Sequence, residues 1–170
     1  GFVNGNAGLT YKINSLGNVY ASVSSSTDIN GGESDVGGSC GYGGICVPTG
    51  SQISDAKPEK TVNYEIGTKW QLLQQKLLAT AALFRTIKSD VQEGTGYTTT
   101  GSINTGKNQV QGVEFSLVGN FTPKLSTQVA VTLMDSEILE SFTATNKGLQ
   151  LSNFARKQAN AQFKYQFTPV

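Results

Sequence analysis

The sequence predicts an all-β protein whose strands run antiparallel in up-and-down order, and three observations predict it. Gly, Ser, Thr, Asn and Gln dominate the 170 residues, and only 37% are hydrophobic, so the Leu-rich stretches of a helical bundle are missing while Thr, Val, Tyr and Phe suit strands. Several segments alternate polar and apolar residues with period two, the mark of a strand with two unlike faces. The links between these segments are short and long in strict turn.

The first segment, "NAGLTYKI", puts Ala7, Leu9, Tyr11 and Ile13 on one face and Gly8, Thr10 and Lys12 on the other. "NVYASVSSST" follows, with looser alternation but persistent β-branched and small residues. In "TVNYEIGTKWQL", Val62, Tyr64, Ile66, Thr68, Trp70 and Leu72 oppose Asn63, Glu65, Gly67, Lys69 and Gln71. "KLLATAALFRTIKSDV" is the ambiguous one. Together with the residues before it, it fills 68–91 with Leu, Gln, Lys and Ala, which on propensity alone reads as one long helix. A helix there would break the order of the links and take Lys69 out of its strand, so Gln74 and Gln75 are predicted to form a turn between two strands. "QVQGVEFSLVGNF" sets Val113, Phe115, Leu117 and Phe121 against Gly112, Glu114, Ser116 and Asn120. "LSTQVAVTLMDSEI" is looser again. The last segment is cleanest, with Ala159, Ala161, Phe163, Tyr165 and Phe167 against Gln158, Asn160, Gln162, Lys164 and Gln166.

Seven strands result. "NSLGN", "LLQQK" and "FTPKL" are short links, with "FTPV" opening another, while 27–59, 92–105 and 141–155 are long. In an up-and-down sheet every tight turn then lies on one edge and every long loop on the other, as in outer-membrane barrels. Residues 1–20 hold no basic stretch followed by an apolar one, and no run approaches the eighteen or so apolar residues of a spanning helix. Barrel strands never produce such a run.

A net charge of +1 supplies no field for a nucleic acid or an acidic partner. The cysteines, Cys40 and Cys46, stand in "SCGYGGICVP" with no His in the chain, too few ligands for zinc. A local disulfide is the preferred reading over two free thiols, since a Gly-rich loop closes such a bridge easily. Catalysis finds no purchase: there is no His for general base work, no G-x-S-x-G elbow and no carboxylate pair spaced to share a proton. "GSCGYGGICVPTG" ends in neither Lys-Ser nor Lys-Thr, so it is not a phosphate loop. The chain is expected to be no enzyme and to need no cofactor.

Two architectures fit the alternation, a membrane barrel and a secreted β-sandwich binding or adhesion module. The polar faces carry Glu65, Lys69, Glu114, Gln162 and Lys164, which suits a wet lumen. Trp70, Phe121, Tyr165 and Phe167 gather near the short turns, where an interfacial girdle would sit.

The stretch "KPEKTVNYEIGTKW" resembles the strand motif of TonB-dependent outer-membrane receptors, and "AALFRTIKSDV", "GVEFSLVGNFTPKLS", "LMDSEIL" and "ARKQANAQFKYQF" resemble the same family in the same order, over 57–167. The resemblance implies about seven transmembrane strands of a 22-stranded barrel in the bacterial outer membrane, with short periplasmic turns and long extracellular loops. It implies uptake of a ferric siderophore, a catecholate in the first instance, with haem or cobalamin as alternatives, driven through TonB. The family's plug, its TonB-binding box and its barrel-closing final strand find no match, so residues 1–170 read as the later part of a receptor.

In that setting the ligand candidates are Tyr42, Tyr97 and Phe142 in the long links, whose rings would stack on a catechol, and Arg85 with Lys88, which would offset the charge of a ferric complex. Residues 27–59 hold Asp28, Glu33, Asp35, Asp55 and Glu59 against Lys57 alone, so an anionic chelate needs basic groups from elsewhere. Glu65, Lys69 and Glu114 are expected to face the lumen, each carboxylate paired with Lys69 or with an Arg of the plug. Iron should stay within its chelator, so no side chain is expected to ligate metal.

Overall fold

The computed structural model describes residues 3–28, 57–93 and 104–167. They form one antiparallel sheet of seven strands in chain order: β1 Gly5–Lys12, β2 Gly17–Asp28, β3 Glu59–Leu72, β4 Leu77–Gln92, β5 Asn104–Thr122, β6 Leu125–Glu140 and β7 Lys157–Tyr165. The seven expected strands are all present. At about 3.3 Å per residue the 19 residues of β5 reach roughly 60 Å, well beyond the ten or so residues that cross a bilayer. The surplus of β4, β5 and β6 lies on the long-link side.

The helical reading of 68–91 fails at its centre. Leu73, Gln74 and Gln75 have φ of +50°, +58° and +70°, the hand opposite to a right-handed helix and the sign that a two-residue hairpin turn demands at both central positions. Leu72 pairs with Leu77 across this turn, and the ladder continues to Lys60 and Ser89. The other two turns use side chains instead. Asn14 Oδ1 accepts from the backbone N–H of Leu16 and of Gly17, each at 2.8 Å. Thr122 Oγ1 accepts from Leu125 N–H at 3.0 Å, with Pro123 at the corner.

Burial is inverted relative to a water-soluble protein. Ile66, Leu83 and Phe115, on strands flanked on both sides, are 57%, 57% and 51% exposed, and Phe163 is 64% exposed. Among the described residues, Leu77 alone is a buried hydrophobic residue. Among the described residues no second sheet covers the apolar face, which speaks against the sandwich reading: a face of this size left open in water would be an aggregation surface, whereas against lipid it costs nothing. Following the register across the sheet, one face reads Ala21, Ile66, Leu83, Val113 and Leu133, and the other reads Ser22, Glu65, Phe84, Gly112 and Met134. The first face is lipid-facing. The second, with its Asn, Gln, Ser and Thr neighbours, lines the lumen.

Candidate functional site: the lumen wall and the long-loop rim

Glu65 and Glu114 both project from the polar face, since Glu65 stands opposite Ser22 and Phe84 while Glu114 stands opposite Ala82 and Thr132. The partner of Glu65 is not Lys69. Tyr20 Oη donates to Glu65 Oε1 at 2.5 Å, and Lys69 Nζ lies 4.8 Å from the centre of the Tyr20 ring. Tyr20 therefore sits between the two charges that the sequence reading paired directly. It fits because Gly67 lies beneath its ring: a Cβ at Gly67 would fall 2.6 Å from Tyr20 Oη. A strand glycine thus leaves room for an aromatic lid from the neighbouring strand.

On the opposite edge the long links are tied down by three side chains. Glu59 accepts the Gln92 backbone N–H at 2.9 Å through Oε1 and pairs with Lys88 through Oε2. Asn104 acts as a peptide mimic: its Oδ1 accepts Lys57 N–H at 2.6 Å and its Nδ2 donates to the carbonyls of Lys57 and Asp90 at 2.8 and 2.6 Å. This bridges β3 and β5 across the place where Asp90, at φ +56°, interrupts the β4–β5 register.

Glu93, just past β4, holds three connections. It accepts from Thr105 Oγ1 at 2.7 Å, from Ser141 Oγ at 2.6 Å and from the Phe142 N–H at 2.8 Å. Burial on its own would raise the Glu93 pKa, but the bonds from Ser141, Phe142 and Thr105 outweigh it and hold the carboxyl below its ordinary value. One side chain thus fixes the end of β4, the start of β5 and the link 141–156. That link folds back on β6, with Ile138 N–H donating to Leu149 O at 2.9 Å and Leu151 N–H to Ser136 Oγ at 3.1 Å.

Of the ligand candidates, Phe142 stands at this rim, 38% exposed and placed by Glu93. Lys88 is on the lumen face opposite Asn108 and engaged with Glu59. Arg85 is not on the lumen face. It shares the outward face of Leu83 and Ile87, stands opposite Tyr64 and Gln111, and donates to Gln109 Oε1 from Nε at 2.9 Å and from Nη2 at 2.5 Å. The rung Tyr64–Arg85–Gln111–Asp135 is where the outward face turns from apolar to polar. Arg85 thus stands on the outward face at the border between its apolar and polar rungs, with its guanidinium held by Gln109. Tyr42, Tyr97, Cys40 and Cys46 lie outside the described residues, as does any disulfide between the cysteines.

The profile of the family described as TonB dependent receptor-like, β-barrel, matches residues 1–169. The chain belongs to the TonB-dependent receptor family. The receptor chain is 38% identical over 122 residues to the catecholate siderophore receptor Fiu of Escherichia coli, covering 71% of the chain and 15% of the relative. It is 33% identical over 147 residues to the probable TonB-dependent siderophore receptor PiuA of Acinetobacter baumannii, covering 86% of the chain and 19% of the relative. The solved structure of that siderophore receptor matches with a TM-score of 0.74 at 28% identity, over 99% of the chain and 24% of that structure. The ferripyoverdine receptor of the Pseudomonas aeruginosa outer membrane shares the fold alone, with a TM-score of 0.70 at 18% identity over 98% of the chain and 21% of that structure. The receptor chain thus spans less than a fifth of the length of these two curated relatives. Its place is the bacterial outer membrane.

Glu93 escaped the sequence reading because it falls at the first residue of a long polar link, where period-two alternation ends and nothing marks one carboxylate from another. The receptor's rim gives it a measurable role. Glu93→Ala should speed tryptic cleavage after Lys147 in the 141–156 link by about tenfold or more at neutral pH, since losing bonds to a charged acceptor costs at least the ~1.4 kcal/mol that a tenfold ratio carries. In the parent protein the same loosening should come only on acidification. A depressed carboxylate pKa contributes stability above the unfolded value and loses it as pH falls through the lowered folded value. Tryptic cleavage of both proteins at neutral pH tests the substitution, and hydrogen exchange of the Phe142 amide, corrected for the intrinsic rate at each pH and followed downward through the carboxylate range, tests the acid limb.

Proposed function

We propose that the seven strands are staves of a larger, closed barrel, and that the complete receptor takes up a ferric siderophore of catecholate type with energy delivered through TonB. The protein is a transporter without catalytic chemistry or a resident cofactor, and iron crosses as cargo inside its chelator. The observation that carries this reading is the pairing of an uncovered apolar face with a polar face that holds Glu65, Lys69 and Glu114 on one wall. Such a wall needs lipid on one side and water on the other. The edges β1 and β7 each have one strand neighbour among the described residues, which is what two further staves would complete. The relatives supply the cargo: two of them are named as siderophore receptors, one of them for catecholates.

Ligand contact is assigned to the long-link edge, to Phe142 and to Tyr42 and Tyr97 as stacking rings. Arg85, on the outward face, is left out of that set. A strain lacking the complete receptor and starved of iron should grow on a defined ferric catecholate only when the receptor is restored, and no better on haem. Growth restored by haem or cobalamin and not by the catecholate would overturn the assignment of cargo.

A further inference from the structure

The outward face is not uniform. Between β3 and β5 the outward residues of β4 shrink to Ala79 and Ala81, which stand opposite Trp70 and Leu117 and opposite Thr68 and Phe115. The result is an open groove of about 330 Å³ with Ala79 and Ala81 as its floor, Trp70 as one wall and Phe115 and Leu117 as the other, continued by Val129. Neighbouring strands lie about 4.8 Å apart, so the walls stand roughly 10 Å from each other, the width of a single hydrocarbon chain with its contacts. The groove starts at the second outward rung above the turn and runs away from the short-turn edge.

That edge has an unusual charge. The described residues 12–20, 70–80, 117–129 and 160–167 contain Lys12, Lys76, Lys124 and Lys164 and no Asp or Glu. Lys76 and Lys124 lie in the turns themselves, directly below the groove. None of the four forms a salt bridge among the described residues. Every acidic side chain of the described residues lies further from this edge. A basic rim one short step from an apolar slot of single-chain width complements one kind of molecule, a lipid with an anionic headgroup.

We propose that this groove is a site for an anionic phospholipid of the periplasmic leaflet, one acyl chain lying over Ala79 and Ala81 against Trp70, and the phosphate headgroup held by Lys76 and Lys124. The site rests on the barrel reading given above. Trp70 is the single Trp of the 170 residues and forms a wall of the groove, so it reports on the occupant directly. Its emission in the complete receptor is obtained as the difference from Trp70→Phe. Phosphatidylglycerol brominated in mid-chain should quench it at least about fivefold more effectively than brominated phosphatidylcholine, the ratio that one Lys near an anionic surface supplies. The preference should vanish in Lys76→Gln/Lys124→Gln and survive in Lys76→Arg/Lys124→Arg. Ala79→Leu, which fills the floor, should weaken quenching by both lipids. Equal quenching by the two headgroups, or a preference that survives loss of both lysines, overturns the site while leaving the barrel intact. Trp70 shielded from both lipids by a second protein chain, seen as a cross-linked pair, also overturns it. Quenching by aqueous iodide with none by either lipid would instead sink the barrel reading itself.

Discussion

Val131→Arg should cost the assembled receptor about 2–4 kcal/mol, while Thr132→Arg, one residue on, should change stability by no more than about 0.5 kcal/mol. The two substitutions add the same charge and nearly the same volume to the same strand. Only the face differs. Val131 stands opposite Phe115 and Ala159, on the rung that also holds Thr68 and Ala81, in the middle of the apolar band. An Arg there must leave its guanidinium in hydrocarbon or bend the bilayer to reach water. Thr132 stands opposite Glu114 and Gln158 on the lumen face, where a guanidinium meets water and a carboxylate. Heat-modifiable electrophoretic mobility and urea midpoints of the complete receptor in vesicles read the difference. Equal tolerance of both variants would mean that the outward face meets water, and the barrel reading would not survive.

The same face logic explains what was legible in the sequence. Strands that meet lipid on one side and water on the other must alternate strictly, so "QANAQFKYQF" declared its period from residue types alone, and Phe163, Tyr165 and Lys164 lie where that period puts them. The link order carried the rest, including the hairpin at Gln74 and Gln75, because local propensity in 68–91 favoured a helix and only the arrangement of the whole chain spoke against it. Strand ends were less legible. β5 begins at Asn104 rather than near Gln109 because Asn104 and Thr105 are held by side-chain bonds to Lys57 and Glu93, from segments distant in sequence. The lumen contacts were half legible. Alternation put Glu65 and Lys69 on one face correctly, but could not show that a ring from β2 would cover Gly67 and take the Glu65 bond. Arg85 was less legible for a related reason: its charge argued for water or ligand, and its register position puts it on the outward face, at the rung where apolar residues give way to polar ones.

Gly119→Ala should be the most damaging of the glycine substitutions, with a loss of about 3 kcal/mol or more, because two costs coincide there. Gly119 has φ of +142°, a conformation that L residues seldom adopt and that costs on the order of 1–3 kcal/mol when imposed on one. An added Cβ would also run into the Lys76 carbonyl oxygen and stand 2.9 Å from Leu77 Cα, backbone atoms that cannot swing aside, at a further ~1–3 kcal/mol. The position matters because it joins two turns. Asn120 N–H donates to that same Lys76 carbonyl at 2.8 Å, and past it the β5–β6 register slips so that Thr122 pairs with Leu125. Pushing β5 away from Lys76 loosens the closing rung of the β3–β4 hairpin and the bulge together. Two other glycines separate the terms. Gly148, at φ +84° with open space around its Cβ position, should pay the conformational cost alone, and Gly5, with neither strain nor neighbours, should accept Ala with little change. Urea midpoints of the three variants in the complete receptor should therefore fall in the order Gly5, Gly148, Gly119. A Gly119→Ala protein as stable as its parent would show that β5 does not approach the Lys76 turn as closely as the sheet requires.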